Sequence, residues 1–393
     1  MKRFTSVVLL LVLLVMCLAP VSPAVQAGQF AQEADNFTRA RALMENLTPE
    51  QRVGQLFLVS FEGTDISPES GIYRLITEHY IGGVVLRADN DNFTGPTDTV
   101  TSAAELVRGL QTIGWQDLQD ISTETESDQI EAGQYIPLFV GISQEGDLFP
   151  TDQILNGLTA IPSPMAIGAT WDPQLAQAAG QVLGKELRAL GFNLILGPSL
   201  DVLETSTAGV GDDLGVRTFG GDPFWVGEMG KAYIRGLHLG GRDEIAVIAK
   251  HFPGRGSSDR LPEEEVATVR KPLEQLKQVD LAPFFAVTSP ETDPLSIADG
   301  LLVSHIRYQG LRDNIRDVTP PVSLDATALE QVLSLEPLAG WYNRGGLVVS
   351  DNLGSNSVRR FYDPTMQTFD ARTVARNAFI AGNYLRYLNN FLE

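Results

Sequence analysis

The chain of 393 residues carries 29 Lys and Arg against 49 Asp and Glu, a formal charge of −20, and 43% of its residues are hydrophobic. A field of that sign repels nucleic acid and anionic membrane surfaces, so neither is expected as a partner. The apolar content excludes a globally disordered chain, and a single cysteine, Cys17, excludes a disulfide framework.

Lys2 and Arg3 precede the apolar run from Ser6 to Pro20, and Val25-Gln26-Ala27 offers small residues to a signal peptidase, so residues 1–27 read as a signal peptide. The apolar run is too short for a membrane span. Cleavage after Ala27 removes Cys17 and leaves 27 cations against 49 acids, a charge of −22, on a secreted protein with no membrane attachment. Lipid attachment at Cys17 is disfavoured, because Met16 stands where a lipoprotein signal wants a small residue. Residues 28–46 read as a polar leader and first-helix region. The folded domain is expected over 47–393, opening with Leu47-Thr48-Pro49-Glu50-Gln51: Thr48 as helix cap, Pro49 in the first turn, Gln51 placed to bond back.

From there the chain alternates. Apolar runs of strand length occupy 56–61, 83–86, 138–142, 193–196, 245–249, 301–304, 347–350 and 384–388. Segments of helical periodicity lie around 70–80, 98–113, 172–190, 223–240, 272–286, 325–339 and 366–380. Strands alternating with helices in this number predict an α/β fold, a single (β/α)8 barrel of the TIM type, over an open doubly wound sheet. Neither a Walker motif nor a Gly-x-Gly-x-x-Gly follows the first strand, which counts against nucleotide binding. Residues 116–134 are acidic and read as a solvated loop without the spacing of a calcium-binding EF-hand. Five residues follow the last strand, too few for a closing helix, so either that helix is absent or the sequence stops short of it.

In such a barrel the residues just after each strand converge on one face. They are Glu62, Arg87, Ser143-Gln144-Glu145, Asp201, Lys250-His251, His305 and Asp351, a polar ring that points to a substrate site. Asp351 stands apart within it. Gly345 and Gly346 release the apolar run Leu347-Val348-Val349-Ser350, which ends on this carboxylate and Asn352, so Asp351 is either a catalytic group or the cap of the next helix. His251 and His305 have no His-x-His pairing and no acid at short spacing, which disfavours a metal centre, and no Gly-x-Ser-x-Gly elbow marks a serine hydrolase. Two-carboxylate chemistry on a glycosidic bond fits best, with Asp351 as nucleophile.

At Lys250-His251-Phe252-Pro253-Gly254-Arg255-Gly256 the sequence resembles glycoside hydrolase family 3, in its β-N-acetylhexosaminidase branch. The resemblance extends from about Leu47 to Leu388 and includes Val53-Gly54-Gln55-Leu56, the run Ile81 to Leu86, the run Gly197 to Val202, the run Arg217 to Pro223 and Val303-Ser304-His305-Ile306. It implies that Asp351 is the nucleophile that forms a glycosyl-enzyme, that Arg217, Lys250 and His251 bind the sugar, and that no cofactor is needed. The family's Asp-Gln-Glu-Gly-Gly stands here as Ser143-Gln144-Glu145-Gly146-Asp147, and its second acid after the nucleophile as Asn352. Its Asp-x-His acid/base dyad corresponds to Leu261 and Glu263, so the candidate proton donor is Glu263, with Asp259 close by. The expectation is a secreted enzyme that cleaves a terminal β-linked sugar with retention, N-acetylglucosamine from cell-wall fragments for preference. The alternatives are a β-glucosidase-like member and, from another class, a degenerate barrel that binds glycans without turnover.

Overall fold

The computed structural model describes residues 37–93, 98–124, 135–146, 152–204, 214–312 and 314–388. The expected signal peptide with Cys17, the leader to residue 36, Asp147, the acidic insertion beyond Glu124 and the five residues after the last strand lie outside them. The described residues divide at Arg52/Val53 into a short N-terminal unit and a large one. In the short unit residues 37–46 are helical. There the expected capping box forms: Thr48 N donates to Gln51 Oε1 at 2.9 Å and Gln51 N to Thr48 Oγ1 at 3.2 Å.

The large unit is a closed parallel barrel built from β1 (Phe57–Val59), β2 (Gly83–Val85), β3 (Phe139–Ile142), β4 (Leu194–Ser199), β5 (Ala246–Phe252), β7 (Gly300–Val303), β9 (Leu347–Ser350) and β10 (Leu385–Leu388). Each run read from the sequence supplies one of these strands. The ring closes where β1 pairs β10, with Phe57 opposite Arg386 and Val59 opposite Leu388. Strands buried on both faces explain the unbroken apolar runs. Inward, Leu58, Val85, Leu194, Leu196, Ile248, Leu302, Val349, Leu385 and Tyr387 fill the barrel, joined by Phe139, Ala246 and Leu347. Outward, a larger apolar cluster seals the strands against the helices.

Two helices lie in backbone contact on this outer layer. A Cβ on Gly180 of Pro173–Leu190 would fall 2.3 Å from Tyr233 O, and one on Gly236 of Pro223–Gly241 would fall 2.1 Å from Gln177 O. No larger residue fits such an approach. Each helix starts on an Asp-Pro pair: Asp172 caps Gln174 N at 2.9 Å and Asp222 caps Phe224 N at 3.0 Å.

The structure corrects the sequence reading in three places. Residues 116–124 are not loop but continue the helix Thr99–Glu124, since Trp115, Leu118 and Ile121 recur at a helical interval beneath the acidic content. The helices expected over 272–286 and 325–339 are each split, into Leu273–Gln278 and Ala282–Thr288 and into Ala326–Leu333 and Leu338–Asn343. Pro283 and Pro337 cause the breaks, because each ring would strike the carbonyl four residues back. Beside the barrel, β6 (Ala267–Val269) and β8 (Ile306–Tyr308) form a second, two-stranded parallel sheet. Thr268 and Arg307 interrupt these strands, so no wholly apolar run marks them in the sequence.

Candidate active site

The strand ends open on a cavity of about 1020 Å³ lined by Glu62, Arg87, Ser143, Arg217, Lys250, His251, Arg255, Glu263, His305, Asp351 and Tyr387, among others. Asp351, Glu263, Arg217, Lys250 and His251 are therefore brought together, whereas Asp259 is not in the lining. Gln144, Glu145 and Asp201 of the expected ring lie behind the wall and hold the residues that form it.

Lys250 is fixed from three sides. Its Nζ lies 3.0 Å from Ser143 Oγ, 2.9 Å from Leu196 O and 3.1 Å from the buried carboxylate of Glu145. Glu145 in turn accepts Ser199 N at 2.8 Å, and Gln144 clamps the following loop through Gln153 N, Ile154 N and Ile154 O. A lysine fixed in this way presents a positive point charge in one place, which suits a hydroxyl or a developing alkoxide.

Next to it on β5, His251 meets Asp201, whose Oδ2 is 2.7 Å from Nδ1. Asp201 has no exposed surface and also receives Ser199 Oγ at 2.8 Å and Arg255 N at 2.7 Å. Burial alone would raise its pKa, but His251 and Arg255 outweigh burial and hold it at about 2. Because this carboxylate only accepts, the His251 proton sits on Nδ1 and Nε2 is the unprotonated nitrogen. Burial, reinforced by the Arg255 charge, lowers the His251 pKa, so the ring is neutral near pH 7.

Asp351 follows β9 directly, its N–H bonded to Val303 O at 3.0 Å and its Oδ1 accepting Asn352 N at 2.7 Å. The cap alternative for Asp351 fails here. The next helix, Asn356–Tyr362, is capped by Ser355, whose hydroxyl accepts Val358 N. His305 fixes the turn between them. Its Nε2 donates to Asn352 O at 2.9 Å while Nδ1 accepts from Ser323 Oγ at 2.7 Å, a neutral tautomer that agrees with a pKa lowered by burial. Neither nitrogen is spare for a metal, and the imidazole acts as a strut for the Asp351 loop.

Across the mouth, Arg255 donates through Nη1 to Glu263 Oε1. Burial of Arg255 would lower its pKa, yet the charges of Glu263, Asp201 and Asp351 raise it, so this guanidinium is a fixed cation among three carboxylates. Glu263 shows the converse. Burial would raise its pKa, and Arg255 instead holds it at about 2, although 48% of its side chain is exposed. Its loop is tied down by Ser357 N donating to Glu263 O at 3.1 Å and by Arg360 at 3.5 Å from Glu264. Asp259 faces away from the cavity, accepting Thr268 N at 2.8 Å beside Arg260. Sequence reasoning missed Arg255 as a site residue in its own right, although it stands inside the Lys250-to-Gly256 motif.

The model of the glycosyl hydrolase family 3 N-terminal domain matches residues 48–383. The chain is 26% identical over 361 residues to beta-hexosaminidase A of Pseudoalteromonas piscicida, covering 84% of this chain and 54% of that protein. It is 29% identical over 229 residues to a beta-hexosaminidase of Xylella fastidiosa, covering 57% of this chain and 60% of that one. Among solved structures, a glycoside hydrolase family 3 beta-N-acetylglucosaminidase from Paenibacillus superposes with a TM-score of 0.69 at 28% identity, over 87% of this chain and 55% of that chain. The chain thus spans a little over half the length of these relatives.

The Asp201 network predicts a pH signature. A carboxyl group whose folded pKa is depressed to about 2 stabilises the fold fully above its unfolded value and loses that contribution as the pH falls through the folded one. Asp201→Asn is expected to lower unfolding stability by on the order of 2–3 kcal/mol at pH 6, with the gap to wild type narrowing below about pH 4. Urea midpoints at pH 6, 4.5 and 3 measure it; a gap independent of pH would contradict the assignment.

Proposed function

The chain belongs to glycosyl hydrolase family 3 through its N-terminal domain, and from that premise we propose that it is a glycosidase that hydrolyses a terminal β-linked sugar, a β-N-acetylglucosaminide, with retention of configuration. One observation carries the reading: Asp351 ends a barrel strand in a cavity that it shares with Arg217, Lys250 and His251. The names of the relatives support the sugar, and cell-wall fragments are the proposed source of it.

In the proposed reaction Arg217, Lys250 and the free Nε2 of His251 take up sugar hydroxyls and fix the ring. Asp351 attacks the anomeric carbon, the glycosidic C–O bond breaks, and the leaving oxygen takes a proton. Water then attacks the resulting ester and releases the sugar, leaving Asp351 as a carboxylate. Arg255 stands buried within reach of the Asp351 charge.

Glu263 is the proposed acid/base. Its pairing with Arg255 keeps it unprotonated, the state the second step needs. The first step needs the proton, so substrate binding must loosen the pair and let the Glu263 pKa rise. The same ion pair is the observation that favours the second reading, a barrel that binds glycans without turnover.

An assay with aryl β-N-acetylglucosaminide and aryl β-glucoside separates the readings. Turnover is expected for the first substrate, falling to background in Asp351→Ala. Glu263→Gln is expected to slow a poor leaving group by about 10²- to 10⁴-fold while sparing an activated one. Turnover of neither substrate, with N-acetylglucosamine still bound, would overturn the enzyme reading. Faster turnover of the β-glucoside would place the chain with the β-glucosidase-like members.

We also propose export through residues 1–27. N-terminal sequencing of protein collected outside the producing cell is expected to begin at Gly28. Protein retained with Met1 intact would count against it.

A further inference from the structure

Residues 143–172 lead from β3 to the helix Pro173–Leu190, and residues 200–222 lead from β4 to the helix Pro223–Gly241. In a parallel barrel all such connections emerge at the end where the cavity lies, and Ser143 and Arg217, both in the cavity wall, belong to these two. Trp171, just ahead of the Asp172 cap, meets the first turn of the helix Pro223–Gly241, and an aromatic cluster forms there. The Trp171 and Trp225 ring centres are 5.1 Å apart at 90°, and Phe224 lies 5.5 Å from Trp225 at 80°.

Trp225 packs in part against the core, but packing does not account for the other two rings. Trp171 is 56% exposed and Phe224 63% exposed. Single exposed apolar residues are ordinary, but large aromatic rings gathered on the functional face of a barrel mark a binding surface. Trp171 is also held at φ +55°, a left-handed conformation that bulky residues rarely adopt. Strained residues of this kind persist where the surroundings dictate them, and they gather at ligand sites. Here the surroundings are the Asp172 cap that follows and the bond from Trp171 N to Gly168 O at 3.1 Å. Gly168 is itself pressed against Phe219, two residues beyond Arg217.

The chemistry of the cluster selects its ligand. Asp172 and Asp222, the two helix caps, set carboxylate acceptors beside the rings, which repels an anionic partner and suits hydroxyl donors. The C–H face of a pyranose is matched to the electron-rich face of an indole or phenyl ring. We propose that Trp171, Phe224 and Trp225 form a stacking platform for neutral β-linked oligosaccharide, a glycan-binding site outside the cavity and on the same face of the barrel. The proposal rests on the carbohydrate reading of the cavity and is independent of turnover there. Its role is to hold a longer chain while the cavity engages a terminal sugar.

Affinity electrophoresis in gels containing soluble glycol chitin or hydroxyethyl cellulose tests it. The wild-type protein is expected to be retarded in at least one gel. The Trp171→Ala/Phe224→Ala variant, altered only at exposed rings, is expected to bind at least about tenfold more weakly at an unchanged melting midpoint. Aryl β-N-acetylglucosaminide turnover, measured alongside, keeps the outcomes apart. Retardation that depends on the aromatic pair in a protein without turnover upholds the platform and removes the catalytic reading. Equal mobility of wild type and variant in both gels, or no retardation of the wild type in either, would overturn the platform, and the latter is the result expected if the rings cover a protein contact.

Discussion

The buried guanidinium of Arg255 is the interaction on which the site depends. Its backbone N–H bonds Asp201, its side chain bonds Glu263, and its charge acts on Asp351. A cation taken this far out of water persists only when carboxylates surround it. The consequence runs in both directions. Arg255 helps keep Asp201 ionised, which sets the His251 tautomer, and it keeps Glu263 ionised, which withholds a proton from the step where a leaving group wants one. The protonation states on both sides of the cavity therefore follow from one residue.

Behind the wall, a row of buried polar groups does the positioning. Glu145 holds Lys250, Asp201 holds His251, and His305 holds the turn after Asp351. Glu145 and Asp201 reach the cavity through another residue, whereas His305 also lines it. Strands β3, β4, β5, β7 and β9 or the turns after them supply these groups, so barrel closure sets their spacing. A site built on strand ends inherits the rigidity of the sheet, whereas the Glu263 loop depends on its ties to Ser357 and Arg360.

Much of this was legible in the sequence, for physical reasons. Strands buried on both faces must be apolar throughout, so the barrel strands announced themselves, and the carboxylate ending Leu347 to Ser350 drew notice because a charge at the end of such a run has few structural uses. Whether Asp351 capped a helix was not legible, because Ser355, four residues on, could do the same and only the fold shows that it does. The partnership of Glu145 with Lys250 spans over a hundred residues and leaves no local pattern. The pairing of Arg255 with Glu263 was hidden for another reason: an acidic run at 263–265 reads as a solvated loop until a buried cation is placed opposite it. Nothing in the sequence marks Trp171 and Phe224 as exposed, since exposure is a property of the folded chain.

The central claim, that Asp351 is the nucleophile of a retaining reaction, is tested most directly by trapping. A 5-fluoro β-N-acetylglucosaminyl fluoride slows the oxocarbenium-like steps, and its fluoride leaves without a proton, so trapping does not require Glu263. Mass spectrometry of the peptides from the treated protein is expected to find the glycosyl adduct on Asp351 and to find none in Asp351→Ala. An adduct on another carboxylate, or inactivation-free turnover with no adduct in the wild type, would contradict the account.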